Sequence, residues 1–203
     1  MTIQLHGLPG TRSTRAAWLL EELGVPYELK MVQFAKGEHK APAHLALQPH
    51  GLVPAIDLGD GPMIESAAMC LALADQHAGK GLAPAPSSPA RARYYEAIVY
   101  AVSTLDETII PIYFHRKVLP EAQRDPKVVD AKLPTWKIAA ELLTKRLGDR
   151  KFLVGDSFSA ADIVVGYDLI LGLEVGLLEE YPKLKAYTLS LLGRPAIKKV
   201  FPG

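Results

Sequence analysis

Apolar and polar residues follow two different patterns in the two halves of the chain. Residues 3–6 alternate like a short strand, and apolar residues then recur at helical spacing over residues 16–23. A second strand pattern covers residues 27–32. A strand, a helix and a strand joined this closely predict a right-handed parallel βαβ unit.

Two more strands and a helix are predicted before residue 80. Strand patterns cover residues 53–57 and 62–64, and the Asp60-Gly61 pair between them is typical of a tight hairpin. A helix with apolar residues on most sides is predicted over residues 66–77. The order βαβ, a linking segment and ββα is the thioredoxin-like arrangement.

The second half has helical patterns and no convincing strand. Helical spacing covers residues 91–117, and Pro134 is predicted to begin another helix. Ser159, followed three residues later by Asp162 and an apolar run, indicates a helix N-terminus. Two short helices are expected to begin at prolines, Pro182 and Pro195.

The predicted fold class is therefore α/β followed by all-α. Residues 79–89 are rich in Gly, Pro and Ser, which is the composition of a connector. We accordingly expect a thioredoxin-like domain over residues 1–78, a linker over 79–89 and an all-helical domain over 90–203.

Charge and cysteine content exclude several classes of protein. The 203 residues carry 23 Lys and Arg against 22 Asp and Glu, so the net charge of +1 gives no reason to expect nucleic-acid binding. A single cysteine, Cys70, excludes disulfide frameworks, cysteine-based metal sites and two-cysteine redox chemistry. No signal peptide and no uncharged apolar run of about 18 residues is seen, so we expect a cytoplasmic protein without a metal or a membrane partner.

The first candidate for chemistry is the Val53-Pro54 pair at the start of a predicted strand. Proline gives no N–H to a sheet, so it is placed either at an edge strand in the trans form or after a cis bond. The strand context favours the cis form. The backbone N–H and C=O of Val53 would then face outward, where an extended peptide could pair with them.

The second candidate is Glu65-Ser66, where a strand ends and a helix begins. One interpretation is a helix cap preceded by a surface acid. The other uses the same geometry for a ligand, because a helix N-terminus and a hydroxyl attract a carboxylate. Glu65 would then face an ammonium group.

The third candidate is the hydroxyl-rich first turn of the first helix, residues 11–15. These hydroxyls either cap the helix or hold a bound sulfur as its thiolate. Lowering a thiol pKa of roughly 8.5 by about two units takes ~2.7 kcal/mol. A hydrogen bond to a charged group supplies about 1.5–3 kcal/mol and a helix N-terminus about 0.3–1 kcal/mol more, so no metal is required.

Together these segments resemble the cytosolic glutathione transferases, and the first turn is similar to that of bacterial-type members. The resemblance covers essentially the whole chain and is carried by residues 8–27, 48–56, 65–67 and 158–162. It implies a glutathione site in the first domain, a cis bond at Pro54, an apolar acceptor pocket between the domains and a symmetric homodimer. It also implies a folding role for Ser159 and Asp162.

The resemblance assigns the site residues individually. Thr11 is the first choice for the hydroxyl that faces the sulfur, and Ser13 is the second. Glutathione binding falls to Val53, Pro54, Glu65 and Ser66. Many members have lysine or glutamine where this chain has Leu52, so Arg12, His39 and His50 are candidates for the glycyl carboxylate. The acceptor pocket would draw on Leu8, Pro9, Tyr95, Ala101, Thr104, Thr108 and Tyr113.

The function that the resemblance implies is that of a detoxifying glutathione transferase. It would hold glutathione as the thiolate and join it to an electrophilic carbon of an apolar or aromatic acceptor. Two alternatives use the same scaffold: a glutathione-dependent isomerase or dehalogenase, and a non-catalytic member that binds glutathione or another protein.

Overall fold

The computed structural model of the protein describes residues 2–201. The first part contains four strands and three helices in the expected order. They are β1 (Ile3–Gly7), α1 (Ser13–Leu23), β2 (Tyr27–Met31), α2 (Pro42–Leu45), β3 (Ala55–Asp57), β4 (Pro62–Met63) and α3 (Ser66–Gln76). The short helix α2 lies in the segment that links the βαβ and ββα parts.

The four strands form one mixed sheet in the order β2-β1-β3-β4. β1 and β2 are parallel, with Ile3 opposite Tyr27, whereas β1 and β3 are antiparallel, with His6 opposite Ala55. β3 and β4 form the antiparallel hairpin, with Ile56 opposite Met63. This is the thioredoxin-like arrangement that the sequence predicts.

Helix α1 is the central element of this part. All of its residues from Ser13 to Leu20 are buried, although the run includes hydroxyls and an arginine. The helix ends at Gly24, whose φ of 68° allows its N–H to reach carbonyls of the last turn. One side of α1 contacts α3, and α1 also contacts a C-terminal helix over Pro195–Val200.

The rest of the chain is helical. They are α4 (Ala90–Tyr100), α5 (Asp106–Tyr113), α6 (Pro126–Leu147), α7 (Ala160–Glu174), α8 (Pro182–Leu192) and α9 (Pro195–Val200). π-helical turns over Ala101–Leu105 and Phe114–Val118 join α4 to α5 and extend α5. The prediction that Pro134 begins a helix is wrong, because α6 begins at Pro126, after the N-cap Asp125, and Pro134 lies inside it.

Asp162 at the start of α7 organises the interior of the helical part. Its carboxylate accepts hydrogen bonds from the backbone N–H groups of Leu153 and Ser159, both at 2.9 Å, and from the Tyr187 hydroxyl at 2.7 Å. Ser159 and Asp162 form the reciprocal capping box that the sequence predicts. Burial raises the pKa of Asp162, and these hydrogen bonds act in the opposite direction.

The chain divides into two compact units, and the division differs from the predicted boundaries at the C-terminus. One unit is Met1–Ala83 with Arg194–Gly203, and the other is Pro84–Gly193. The first boundary falls within the predicted connector, residues 79–89. The sequence analysis assigned the C-terminal segment to the helical domain, whereas it groups with the first unit because α9 packs on α1.

One helical stretch of residues 2–201, Ala90–Val118, is long and apolar enough to cross a membrane by length and composition alone. Core helices of soluble proteins meet the same criterion, and 44% of its apolar window is buried inside the protein.

Candidate functional site

The register of the sheet brings three predicted site segments to one edge. His6 pairs with Ala55, so continuing the β1–β3 ladder by one residue places Gly7 opposite Pro54. Ile56 pairs with Met63, so continuing the β3–β4 ladder by two residues brings Glu65 level with Pro54. The loop after β1, the segment before β3 and the start of α3 therefore lie side by side.

The two candidate hydroxyls lie in contact at the first turn of α1. Thr11 Oγ1 donates to the Leu8 carbonyl at 2.6 Å and lies 2.9 Å from Ser13 Oγ. The Ser13 oxygen also accepts the Leu8 N–H at 3.2 Å. Ser13 is only 2% exposed, whereas Thr11 is half-buried, so Thr11 has the surface that a ligand requires.

Gly7 makes the close packing of Ser13 possible. A Cβ at Gly7 would lie 2.6 Å from both Cβ and Oγ of Ser13, which is nearer than real side chains approach. The strand end and the helix start thus fit together only with glycine at this position. Arg12 is the backbone N-cap of α1 and is half-buried, and Leu8 and Pro9 are half-buried in the preceding loop.

The Val53–Pro54 peptide bond is cis, the form that the strand context favours. The loop before it is fixed from two sides: His44 Nε2 lies 2.7 Å from the Leu52 carbonyl, and the buried Gln48 accepts the His50 N–H at 2.8 Å. Val53 is half-buried and belongs to no strand.

Basic groups surround the same loop, and one of them was missed by the sequence analysis. His50 is exposed, and the half-buried His39 packs edge-to-face with Phe34, with the two ring centres 4.6 Å apart. Lys40 Nζ donates to the His50 carbonyl at 3.0 Å, which holds this exposed cation beside the loop that leads to Val53. Leu52, at 55% exposure, presents an apolar side chain.

The start of α3 differs from the predicted cap. Glu65 is the N-cap and Ser66 is the first helical residue, and the Glu65 side chain makes no capping hydrogen bond to the first turn of the helix. Glu65 has φ 72°, and it is the one non-glycine residue of the described chain with positive φ. Such conformations are found preferentially where they position a functional group.

Arg15 joins the two helix starts, and sequence reasoning missed it. It is fully buried in α1, and its Nη1 donates to Ser66 Oγ at 3.5 Å, a long hydrogen bond between side chains that are both buried. The sequence analysis assigned no role to Arg15. The signal available in the sequence was a charge next to an apolar run with no acidic neighbour in the same turn.

Cys70, one turn after Ser66, is not a candidate nucleophile. It is fully buried, and burial raises the pKa of its thiol to about 12, although the charge of Arg15 acts to lower it. Its thiol is therefore protonated at neutral pH.

The residues predicted for the acceptor pocket in the helical unit differ in accessibility. Tyr95 is exposed, with the Arg91 guanidinium 4.7 Å from its ring centre, and Thr104 is half-buried. Ala101 and Thr108 are buried, and the Thr108 hydroxyl donates to the Thr104 carbonyl at 2.6 Å. The Tyr113 hydroxyl donates to the Glu174 carboxylate at 2.9 Å. Burial, together with the hydrogen bond and negative charge of Glu174, raises the pKa of Tyr113 to about 12.

Within residues 2–201 there is no group of three or more His, Cys, Asp or Glu side chains that could hold a metal ion.

Comparison with known proteins identifies the family. The protein combines a thioredoxin-like unit, in which the loop after β1, the segment before β3 and the start of α3 lie side by side, with a helical unit. The sequence matches "Glutathione S-transferase, N-terminal domain" over residues 1–74 and "Glutathione S-transferase, C-terminal domain" over residues 105–195. The chain belongs to the glutathione S-transferase family.

Individual relatives agree with this assignment. Glutathione S-transferase 1 of Zea mays is 34% identical over 192 residues, covering 92% of this chain and 89% of the relative. A structure of glutathione S-transferase-I bound with lactoylglutathione is 31% identical, with a TM-score of 0.85 and 98% of each chain covered. A family member from Pseudomonas fluorescens with two glutathione bound is 26% identical, with a TM-score of 0.86, covering 99% of this chain and 93% of that one.

Proposed function

We propose that this glutathione S-transferase binds glutathione as an extended peptide alongside Val53, with the sulfur at the first turn of α1. The observation that carries the proposal is the sheet register, which brings the ends of β1 and β4 and the start of β3 to one edge. The backbone N–H and C=O of Val53 pair with the peptide, as an added strand would.

The γ-glutamyl end binds at the start of α3. Its α-carboxylate takes the first-turn N–H groups and the Ser66 hydroxyl, because a helix N-terminus attracts an anion. Its ammonium faces the carboxylate of Glu65, which is exposed. Glu65 is the N-cap of α3, so the acid and the helix start are adjacent.

The glycyl carboxylate binds at the basic edge of the preceding loop. Lys40 is the strongest candidate, because its ammonium is held at the His50 carbonyl in the segment just before Val53. His39 and His50 belong to the same loop region and remain candidates, as does Arg12. Leu52 has no polar group to offer.

The hydroxyl that holds the sulfur as thiolate is Thr11. Ser13 is the second candidate, but its side chain is almost completely enclosed. The thiol proton leaves to solvent, the thiolate attacks an electrophilic carbon, and a carbon–sulfur bond forms as the leaving group departs with the electron pair. Proximity and thiolate stabilisation are the main contributions to rate.

The acceptor is apolar or aromatic, and the residues proposed for it are Leu8, Pro9, Tyr95, Ala101, Thr104, Thr108 and Tyr113. Among the five of these that lie in the helical unit, Tyr95, Thr104 and Tyr113 retain exposed surface. A detoxifying role, a cytoplasmic location and a homodimer are further parts of the proposal. Light scattering tests the last of these, since a dimer has about twice the 22.1 kDa chain mass.

A panel of electrophiles with and without glutathione tests the activity. The panel includes aryl halides, alkyl halides, activated alkenes and cis double bonds, and conjugate, isomer and halide are scored separately. We expect glutathione-dependent conjugate with at least one aryl or alkene substrate. Isomer, or halide without conjugate, would favour the alternative chemistry. Glutathione binding with no turnover across the panel would favour a non-catalytic member.

A further inference from the structure

The buried guanidinium of Arg15 points to a role that the proposed binding mode does not yet include. Arginine is almost never fully buried unless it is paired, because removing its charge from water is unfavourable. Arg15 is fully buried at the start of α1, and one of its partners is the hydroxyl of Ser66 at the start of α3. The residue therefore connects the turn that holds the sulfur with the turn that holds the carboxylate.

The direction of this hydrogen bond is fixed by the chemistry of the two groups. A guanidinium has five N–H donors and no acceptor, so Ser66 Oγ accepts from Arg15. A hydroxyl that accepts through its oxygen still has its own hydrogen to donate. A ligand carboxylate only accepts, so it requires the Ser66 hydroxyl as a donor. Because Arg15 donates to the Ser66 oxygen, the Ser66 hydroxyl hydrogen is left to donate to a ligand carboxylate.

The charge of Arg15 also acts over the first turns of α3. It acts to lower the pKa of the Cys70 thiol, which lies four residues after Ser66, although burial outweighs it. A positive charge in such a dry environment attracts an anion at the helix start more strongly than a surface cation does.

We propose that Arg15 is a positioning residue for glutathione, which acts through Ser66 to bind the γ-glutamyl α-carboxylate. The inference rests on the proposed binding mode of glutathione. Arg15 does not contact the reacting sulfur, so its loss weakens glutathione binding and leaves the chemical step nearly intact.

A double-mutant cycle tests this proposal. Arg15→Gln, Ser66→Ala and the double variant are compared with the parent protein by calorimetry with glutathione and by steady-state kinetics. We expect Arg15→Gln to raise the Kd and the KM for glutathione about tenfold, with kcat changed less than about twofold. In the Ser66→Ala background the same substitution should change the Kd less than about threefold, because its effect passes through Ser66. Arg93→Gln, which removes an exposed arginine of the helical unit, is the matched control and should leave the Kd unchanged.

A glutathione analogue without the α-carboxylate provides an independent measurement. The parent protein should bind the analogue more weakly than glutathione, and the difference in affinity between the two ligands should be smaller in Arg15→Gln, which keeps the first-turn N–H groups of α3 but loses the contribution made through Ser66. Additive effects in the cycle, or a normal Kd for Arg15→Gln with only a lower melting temperature, would overturn the proposal and leave Arg15 a structural role.

Arg15→Lys is the substitute if the glutamine variant does not fold, because lysine keeps the positive charge and can donate hydrogen bonds. It should bind glutathione about two- to fivefold more weakly than the parent protein, and this loss should be absent in the Ser66→Ala background. A loss of the same size in both backgrounds would overturn the proposal. Failure of the parent protein to bind glutathione would instead contradict the proposed function itself.

Discussion

Replacing Thr11 by alanine tests which hydroxyl holds the sulfur, and the structure gives the size of the effect. A hydrogen bond to a charged group contributes about 1.5–3 kcal/mol. Thr11 already donates to the Leu8 carbonyl at 2.6 Å, and a neutral bond of this kind contributes about 0.5–1.5 kcal/mol. Since the hydroxyl has one hydrogen, it must leave Leu8 to donate to the thiolate. The net gain is about 1–1.5 kcal/mol, which corresponds to about one pKa unit.

The assay follows the ultraviolet absorbance of enzyme-bound thiolate as pH rises. We expect Thr11→Ala to raise the pKa of bound glutathione by about one unit. Because less thiolate is then present at neutral pH, the rate should fall up to about tenfold there and recover at alkaline pH. Thr11→Ser, which keeps the hydroxyl, should titrate like the parent protein and is the matched control.

Ser13→Ala separates the two candidates. Ser13 is almost completely enclosed and accepts the Leu8 N–H, so its replacement should lower stability and leave the thiol pKa nearly unchanged. If Ser13→Ala raised the pKa and Thr11→Ala did not, the reasoning from exposure would be refuted.

Three further predictions concern the surrounding structure. Asp162→Ala should lower the free energy of unfolding, measured by urea denaturation, by about 3–5 kcal/mol, because it leaves buried donors unpaired. The control Asp156→Ala, which removes an exposed carboxylate, should change it by less than about 0.5 kcal/mol. Equal effects would refute the role of the cap. Gly7→Ala should lower the free energy of unfolding by about 1–3 kcal/mol, since the alanine Cβ would overlap Ser13. A stability equal to that of the parent protein would contradict this packing. Cys70 should react with thiol reagents at pH 8 only in denaturant, because its pKa is about 12, and rapid labelling of the native protein would disprove its burial.

Patterns confined to a few residues allowed much of the fold to be predicted. The alternation in β1, the helical spacing of α1 and the Ser159–Asp162 cap each depend on neighbours within one or two turns, and all are present. Pro134 was misinterpreted because proline is favoured at a helix start and disfavoured in a helix interior, whereas here Pro126 begins the helix and Pro134 is tolerated inside it.

The site could be predicted only in part, for a different reason. Thr11 and Ser13 are two residues apart in sequence, but only packing against Gly7 and Leu8 distinguishes the enclosed hydroxyl from the accessible one. A lysine in a polar loop looks like any solvated lysine, so Lys40 carries no signal until its contact with the His50 carbonyl is known. Ser66, one partner of Arg15, is 51 residues away, beyond the reach of any local pattern.

The packing of α9 on α1 affects how the chain is made. Arg194 forms a two-pronged ion pair with Glu22, at 2.6 and 2.7 Å, and Lys199 pairs with Glu21 at 2.7 Å. The helical unit lies in sequence between α1 and α9. The ribosome therefore synthesises the whole helical unit before α9 is available to pack on α1. A fragment that stops after residue 83 lacks the residues that cover one face of α1, so a stable minimal version of this unit should carry residues 194–201 on a short tether.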